Sequence, residues 1–362
     1  MSDESYIRLA IEVAKKGRGE VSPNPLVGCI IVKNDRIISA GYHKKFGEKH
    51  AEVNAIENAK ENIAGSTLYV NLEPCSHFGK TPPCVDRIIE NKIKKVVIGT
   101  NDMNPLVSGK GIKKLKSAGV DVKVGVLENE CVELNKFFFK YITKKIPYVT
   151  LKAAITLDGK IADSSGNSKW ISSLESRRYV HQLRTSYDAV LVGKNTVGVD
   201  DPRLNVRLVE GRNPKKIIID TDLSLSANHK VFLDNKDGDI YIITSKKSEK
   251  KKNKIRKLES LNSRILFMKK DSPGRIDLKS ALKELGKNDI SSILVEGGSQ
   301  IYSSFVKEKL FDDIFLFMAP KFLGDGIPIL DHIGIKNIKN ALKLNVKDVE
   351  KIGDNILINL IR

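Results

Sequence analysis

Apolar and polar positions along this chain repeat with two alternating periods. Residues 5–16 repeat at helical spacing, and the apolar run Val27-Gly28-Cys29-Ile30-Ile31-Val32 is followed by Lys33-Asn34-Asp35 at a turn. That pattern predicts a hairpin over 27–41. Beyond it the pattern predicts helix at 50–60, strand at 67–72, helix at 84–91, strand at 95–100, helix at 110–118, strand at 121–126 and helix at 129–142. Lys144-Lys145-Ile146-Pro147 is a polar, proline-containing break, and the domain boundary is expected there, giving domains 1–146 and 147–362. The second half opens with a strand at 148–156 and a Leu157-Asp158-Gly159 turn. A helix near 173–186 and strands at 188–193, 215–220, 239–244 and 264–268 follow. A strand at 292–296 ends in Gly297-Gly298 and runs into a helix to about Lys309, and 311–319 and 355–361 read as β. Strands alternating with helices predict an α/β layered fold for both halves.

Length and composition agree with two ordinary cores. The chain has 362 residues, 41% of them hydrophobic, which suggests two domains. No stretch approaches the roughly 20 apolar residues of a membrane span, so no membrane partner is expected. Met1-Ser2-Asp3-Glu4 is acidic, where a secretory signal is basic and then apolar; a cytoplasmic protein is expected. Four cysteines are too few for a disulfide framework, and Cys29 and Cys131 read as small buried hydrophobes. The formal net charge of +18 favours anionic partners, either nucleic acid or phosphorylated small molecules. The densest basic run, Lys246 to Lys254, has no interleaved aromatic residue and reads as a solvated surface, so no nucleic acid is expected.

One cluster changes the picture. His50-Ala51-Glu52, Pro74-Cys75 and Pro82-Pro83-Cys84 supply an imidazole, two thiols and a carboxylate two residues from the histidine. Three such ligands leave a tetrahedral zinc ion one open position for water, and zinc brings that water's pKa toward neutrality. Glu52, not itself a ligand, can then carry protons, the arrangement of zinc-dependent deaminases of amino-pyrimidines and purines. Their second half is usually Pro-Cys-x-x-Cys, whereas eight residues separate Cys75 from Cys84 here. A structural zinc site, closed by His43 or His77 as a fourth ligand, is the alternative.

The surrounding residues carry a resemblance. Ser22-Pro23-Asn24-Pro25-Leu26-Val27-Gly28, Gly41-Tyr42-His43, His50-Ala51-Glu52, Glu73-Pro74-Cys75-Ser76-His77, Lys80-Thr81-Pro82-Pro83-Cys84 and Asn104-Pro105-Leu106-Val107-Ser108-Gly109 stand in the order found in the bifunctional riboflavin biosynthesis deaminase/reductase family. The resemblance implies a cytidine-deaminase-like three-layer α/β/α domain that hydrolyses the exocyclic amine of a diamino-hydroxy-pyrimidine bearing a phosphoribosylamino group. It implies His50, Cys75 and Cys84 as zinc ligands and Glu52 as proton donor. It places Asn24, His43, Lys80, Asp102, Asn104 and Ser108 around the base and ribose phosphate. One departure is visible: Met103 stands where the family usually has a proline, which changes the loop that carries Asp102.

The second half lacks the Gly-x-Gly-x-x-Gly fingerprint. Glu296-Gly297-Gly298-Ser299 ends a strand and opens a helix, which suits a phosphate but is equally an ordinary turn. Asp200-Asp201-Pro202-Arg203-Leu204-Asn205-Val206-Arg207 is dense in charge and is equally a surface turn. Leu151 to Ala162, Ser168-Lys169-Trp170-Ile171-Ser172, His181-Gln182-Leu183-Arg184, Asp200-Asp201-Pro202 and Val295-Glu296-Gly297-Gly298 are similar to the reductase domain of the same family, which resembles dihydrofolate reductase. The resemblance implies NADPH as cofactor, with Ala154, Trp170, Thr196, Asp200 and Thr221 lining it and Gly298, Ser299 and Gln300 at its phosphates. It implies Ser168, Arg184, Leu204, Arg207 and Glu296 facing the substrate and Lys152 near the ribose. Arg184 and Arg207 can grip a phosphate bidentately. Trp170, the one tryptophan, is equally a core residue. Family members assemble, so a homo-oligomer is expected. Two other readings stay open: a deaminase that edits nucleic acid, favoured by the charge but lacking an arginine-aromatic groove, and a single-activity deaminase with a non-catalytic second domain.

Overall fold

The computed structural model describes residues 1–78, 82–104, 107–235, 239–271 and 274–362. It forms two compact units, Met1–Lys145 and Ile146–Arg362. The first unit runs α1 (Asp3–Ala14), β1 (Gly28–Lys33), β2 (Arg36–Tyr42), α2 (Ala51–Glu57), β3 (Thr67–Leu72), α3 (Cys84–Glu90), β4 (Lys95–Thr100), α4 (Lys110–Ser117), β5 (Asp121–Val124), α5 (Glu128–Leu134) and α6 (Lys136–Lys144). Its sheet has the order β2-β1-β3-β4-β5. The β1–β2 and β1–β3 pairs are antiparallel and the β3–β4 and β4–β5 pairs parallel.

Strand periodicity sends alternate side chains to opposite faces. Cys29, Ile31, Leu68, Val70, Val96 and Ile98 pack with Ala51, Ala55, Val85, Ile88 and Leu115 of α2, α3 and α4. Ile30, Val32, Tyr69 and Val97 pack with Tyr6, Ile7, Ala10, Ile11 and Cys131 of α1 and α5 on the other face. The unit is therefore a three-layer α/β/α sandwich. The single helix expected over 129–142 is two helices, because Asn135 leaves helical geometry between them. Its buried amide accepts from Leu26 N at 2.8 Å and donates to Leu26 O at 3.0 Å, fastening the loop before β1.

The second unit runs β6 (Tyr148–Ile155), β7 (Lys160–Ala162), α7 (Leu174–Ser186), β8 (Ala189–Gly193), α8 (Lys194–Asp200), β9 (Lys215–Ile219), α9 (Lys230–Leu233), β10 (Ile240–Ser245), α10 (Lys252–Glu259), β11 (Ser263–Met268), α11 (Leu278–Lys287), β12 (Ser292–Val295), α12 (Ser299–Lys307), β13 (Asp313–Met318), β14 (Ile327–Pro328), β15 (Asn345–Ile352) and β16 (Asn355–Ile361). Its main sheet has the order β11-β10-β9-β8-β12-β6-β13-β16-β15. It is parallel from β11 to β13, and β16 and β15 close it antiparallel. Helices α11 and α12 bury Leu282, Leu285, Tyr302 and Phe305 against Val149, Leu151, Ala189 and Ile293. Helix α7 covers the other face with Val180 against Phe315 and Phe317. Among the described residues no helix is long and apolar enough to cross a membrane.

Gly28 marks the closest approach of α1 to the sheet. A Cβ there would collide with the Ala10 carbonyl and lie 2.7 Å from Ala14 N, both backbone atoms. Backbone cannot swing aside as a side-chain tip can, so Gly28→Ala is expected to cost about 1–3 kcal/mol of stability, read as a lower midpoint in chemical denaturation of the full chain. An unchanged midpoint would mean that α1 is free to lift.

Candidate functional site

In the first unit the chemistry gathers beyond the carboxyl ends of β3 and β4. His50 is the residue before α2, Cys75 lies three residues past β3, and Cys84 opens α3 after Pro83. One donor atom from each lies within 4.8 Å of the others. His50 Nδ1 is 3.2 Å from Cys84 Sγ and 3.5 Å from Cys75 Sγ. Bonds of about 2.3 Å to sulfur and about 2.0 Å to nitrogen place a tetrahedral N···S edge near 3.5 Å, so this trio fits a zinc ion without rearrangement. The two sulfurs divide one proton between them, Cys75 held as the thiolate and Cys84 as the thiol that donates to it. A hydrogen bond from the Cys84 thiol, helped by His50, holds Cys75 down to about 4 against its burial. The same contact and burial push Cys84 up.

Glu52, the second residue of α2, is 3% exposed and is not one of the three donors. Burial pushes its carboxyl up, with the His50 charge pulling the other way. Neither proposed fourth ligand joins the cluster. His43 Nδ1 donates to Lys49 O at 3.0 Å, which leaves Nε2 to accept from Asn24 Nδ2 at 3.1 Å, and His77 is exposed.

Asn24 and His43 thus form one hydrogen-bonded pair, with the His43 ring 5.4 Å from that of His50. The Asp102 loop follows β4. Asp102 Oδ1 accepts from Asn104 N at 2.8 Å, an Asx turn that supplies the rigidity the missing proline would have given. Burial pushes Asp102 up to about 6, the Asn104 N–H opposing and Glu73 adding. Asn104 is half-buried, while Met103 and Ser108 are exposed. Lys80 lies outside the described residues. Sequence reasoning missed Glu73. Its buried carboxylate accepts from the backbone N–H of Asp102, Gly109, Gly111 and Ile112 at 3.0–3.3 Å. It thereby ties the segment between β3 and Cys75 to Asp102 and to the start of α4.

In the second unit a cleft of about 1440 Å³ is lined by Ala154, Trp170, Thr196, Asp200, Thr221, Gly298, Ser299 and Gln300, and also by Lys152, Ser168, Arg184, Leu204, Arg207 and Glu296. The structure therefore brings together every residue singled out in this half. A single small-molecule site is about 300–1,000 Å³, so the cleft has room for a dinucleotide and a sugar phosphate side by side. Thr196, Thr221 and Glu296 follow the carboxyl ends of parallel β8, β9 and β12, where ligands of α/β sheets bind. Ser299 Oγ is buried without a hydrogen-bond partner among the described residues. Gly298 precedes α12, and a Cβ there would meet only Thr196 Oγ1, at 3.7 Å. An orphaned hydroxyl beside a helix start with free space fits the phosphates of a nicotinamide cofactor. Trp170 is not a core residue: it is 60% exposed, with the Arg177 guanidinium 4.0 Å from its ring centre.

The floor of the cleft is an ion-pair network. Arg184 Nε and Nη2 grip Glu296 at 2.7 and 2.9 Å, and Nη1 donates to Asn205 O at 2.9 Å. The bidentate edge of Arg184 therefore holds Glu296 instead of standing free for a phosphate, as the sequence reading had it. Lys152 Nζ lies 4.0 Å from Glu296, their side chains 15% and 10% exposed. Burial pushes Lys152 down, with Glu296 opposing and Arg184 adding. Arg207 Nη1 reaches Asn205 Oδ1 at 3.1 Å, and the residue is otherwise exposed.

Comparison with known proteins matches both halves. Residues 147–358 match the RibD C-terminal domain model, and residues 1–100 match the cytidine and deoxycytidylate deaminase zinc-binding region. The riboflavin biosynthesis protein RibD of Aquifex aeolicus is 47% identical over 98% of this chain and 97% of its own. The Escherichia coli protein of the same name is 35% identical over the full length of both. The chain belongs to the bifunctional riboflavin biosynthesis deaminase/reductase family.

Solved structures agree. A diaminohydroxyphosphoribosylaminopyrimidine deaminase/5-amino-6-(5-phosphoribosylamino)uracil reductase from Thermotoga maritima superposes with a TM-score of 0.86 at 42% identity, covering 99% of this chain and 98% of that one. RibD from Acinetobacter baumannii superposes at 0.89 and 36%, with the same coverage. The protein is thus a substrate-processing enzyme of two activities, a zinc-dependent deaminase followed by an NADPH-dependent reductase of dihydrofolate-reductase-like fold. Neither a nucleic-acid editor nor a deaminase with an idle second half fits family membership over the full length.

A second residue without a sequence-derived role is His181, buried in α7 and lining the cleft. Burial, then the charges of Arg184 and Arg207, push it down to about 4 from 6.5; Glu296 opposes and Lys152 adds. Between those values the unfolded chain binds a proton that the folded chain refuses, so stability rises with pH across the window. The penalty is absent above pH 6.5, grows as pH falls, and is complete below about 4. His181→Asn is therefore expected to show a shallower fall in denaturation midpoint between those limits than the native chain, whereas parallel curves would contradict the burial of a neutral ring.

Proposed function

We propose that residues 1–146 deaminate 2,5-diamino-6-(5-phosphoribosylamino)pyrimidin-4(3H)-one and that residues 147–362 reduce the ribosyl group of the product to a ribityl chain. The observation that carries the first step is the His50, Cys75 and Cys84 trio beside a buried, non-ligating Glu52. A zinc ion held by His50, Cys75 and Cys84 would supply a water acidic enough to ionise near neutral pH. Glu52 takes the proton of the attacking water and passes it to the ring nitrogen; it then takes a second proton from the newly added hydroxyl, which becomes the carbonyl, and passes it to the amino group, which leaves as ammonia. Asn24 and His43 hold the base, their mutual hydrogen bond fixing the His43 tautomer. Asp102, Asn104 and Ser108 face the ribose phosphate from a segment anchored by Glu73, and the family resemblance assigns Lys80 to the same phosphate.

NADPH supplies a hydride to the second cleft when bound. Gly298, Ser299 and Gln300 take its phosphates, and Ala154, Trp170, Thr196, Asp200 and Thr221 line its length. On the substrate side Arg184 fixes the Glu296 carboxylate, Lys152 and Glu296 meet the ribose hydroxyls, and Ser168, Leu204 and Arg207 complete the wall. Arg207 is the phosphate contact, because its guanidinium is less committed than that of Arg184. A cytoplasmic setting suits a consumer of NADPH. A second copy of the chain is the proposed neighbour of β15, an edge strand whose Val346 and Val349 stand exposed.

Glu52→Gln tests the division of labour. It is expected to retain zinc, to lose ammonia release by about 10²–10⁴-fold, and to keep NADPH oxidation with the deaminated substrate unchanged. Loss of both activities in folded, zinc-loaded protein would contradict two separable sites.

A further inference from the structure

The reductase cleft has one wall that belongs to no helix or strand. Residues 201–214 between α8 and β9 carry Leu204 and Arg207, and their backbone polar groups must find partners outside a ladder. Three fasteners hold the part that faces the cleft. Val206 N donates to Asn213 Oδ1 at 2.7 Å. Asn205 O accepts from Arg184 at 2.9 Å. Arg207 N donates to His181 Nδ1 at 3.0 Å. The last two come from α7, where His181 and Arg184 are three residues apart and so share a face. His181 is buried, lines the cleft, and makes no other side-chain hydrogen bond among the described residues.

We propose that His181 is a positioning residue of the reductase: by accepting the Arg207 backbone N–H on Nδ1 it holds the Arg207 guanidinium where the substrate phosphate docks. The inference rests on the reading of Arg207 as the phosphate contact. A ring that accepts on Nδ1 must be neutral with its proton on Nε2, and protonation would remove the acceptor. The surroundings enforce that state. Arg184, Arg207 and Lys152 stand near the ring, Glu296 is the opposing charge, and the ring is held well below its ordinary pKa. The positive groups that would attract a phosphate thus also keep the residue that orients one of them uncharged.

Two isosteres separate this role from simple packing. Asparagine places an amide oxygen near the position of Nδ1, while glutamine places its amide near Nε2 and supplies no acceptor at Nδ1. The assay follows NADPH oxidation by the full-length protein with the deaminated pyrimidine ribotide, and NADPH affinity is measured separately by nicotinamide fluorescence. His181→Ala and His181→Gln are expected to raise the substrate KM about tenfold and to leave kcat and NADPH affinity within about threefold, while His181→Asn returns KM to within about threefold of native. Arg207→Ala serves as the reference. If it raises KM while His181→Ala and His181→Gln do not, or if His181→Asn is as poor as His181→Gln, the role of His181 is overturned and the reading of Arg207 stands. If Arg207→Ala leaves KM unmoved, the reading of Arg207 falls and the inference with it. Should the alanine variant not fold, the glutamine–asparagine contrast decides alone.

Discussion

The first unit depends on the convergence of three lone-pair donors from separate segments on one point. His50 precedes α2, Cys84 opens α3, and Cys75 follows β3, and the layers on one face of the sheet fix all three. Ala51 and Ala55 of α2 and Val85 and Ile88 of α3 pack into the same cluster as Leu68 and Val70 of β3. The donors are thus positioned by a hydrophobic core and not by the flexible side chains of a loop. Their N···S separations already match a tetrahedral edge, so a cation has little to reorganise on arrival. The spacing of Cys75 from Cys84 matters less than the strand and helix ends that carry them.

Both units place their chemistry beyond the carboxyl ends of parallel strands, yet they stabilise charge differently. The first gathers an imidazole and two sulfurs around the seat of one cation and keeps the Glu52 carboxyl buried beside it. The second distributes Lys152, Arg184, Arg207 and Glu296 along a large cleft, where Arg184 and Glu296 satisfy each other. A buried pair of that kind contributes little net stability, but losing either partner would leave an uncompensated charge. Its value lies in orientation: two hydrogen bonds from Arg184 fix the carboxylate of Glu296 at the floor of the cleft.

Much of this was legible in the sequence because the periods were clean. The hairpin at Lys33-Asn34-Asp35, the strands at 67–72 and 95–100, and the strand ending in Gly297-Gly298 all follow from short apolar runs with turn residues at their ends. The charged edge strand β15 was not legible. Val346 and Val349 are three residues apart among lysine, aspartate and glutamate, out of strand period, and nearly all its positions are exposed, so no buried face marked it. Helix α8 was missed because Lys194–Asp200 is polar and contains Gly198. Helix α11 did carry a signal, with Leu278, Ala281, Leu282 and Leu285 on one face, but it sits in a stretch without recognisable motifs. At the sites, residues with distinctive chemistry announced themselves, whereas Glu73 and His181 act on the backbone of distant loops. Such partners become visible only when the chain is folded. The Asp102–Asn104 turn shows the converse: a missing proline suggested a looser loop, and a side-chain hydrogen bond restores it.

The most direct test of the account is the metal dependence of ammonia release. The full chain is stripped with a chelator, its zinc content measured, and both activities followed as zinc is returned. The account predicts that ammonia release disappears with the metal, recovers in proportion to zinc, and saturates at one ion per chain, while NADPH oxidation with deaminated substrate stays constant throughout. Ammonia release that persists in metal-free protein would contradict it.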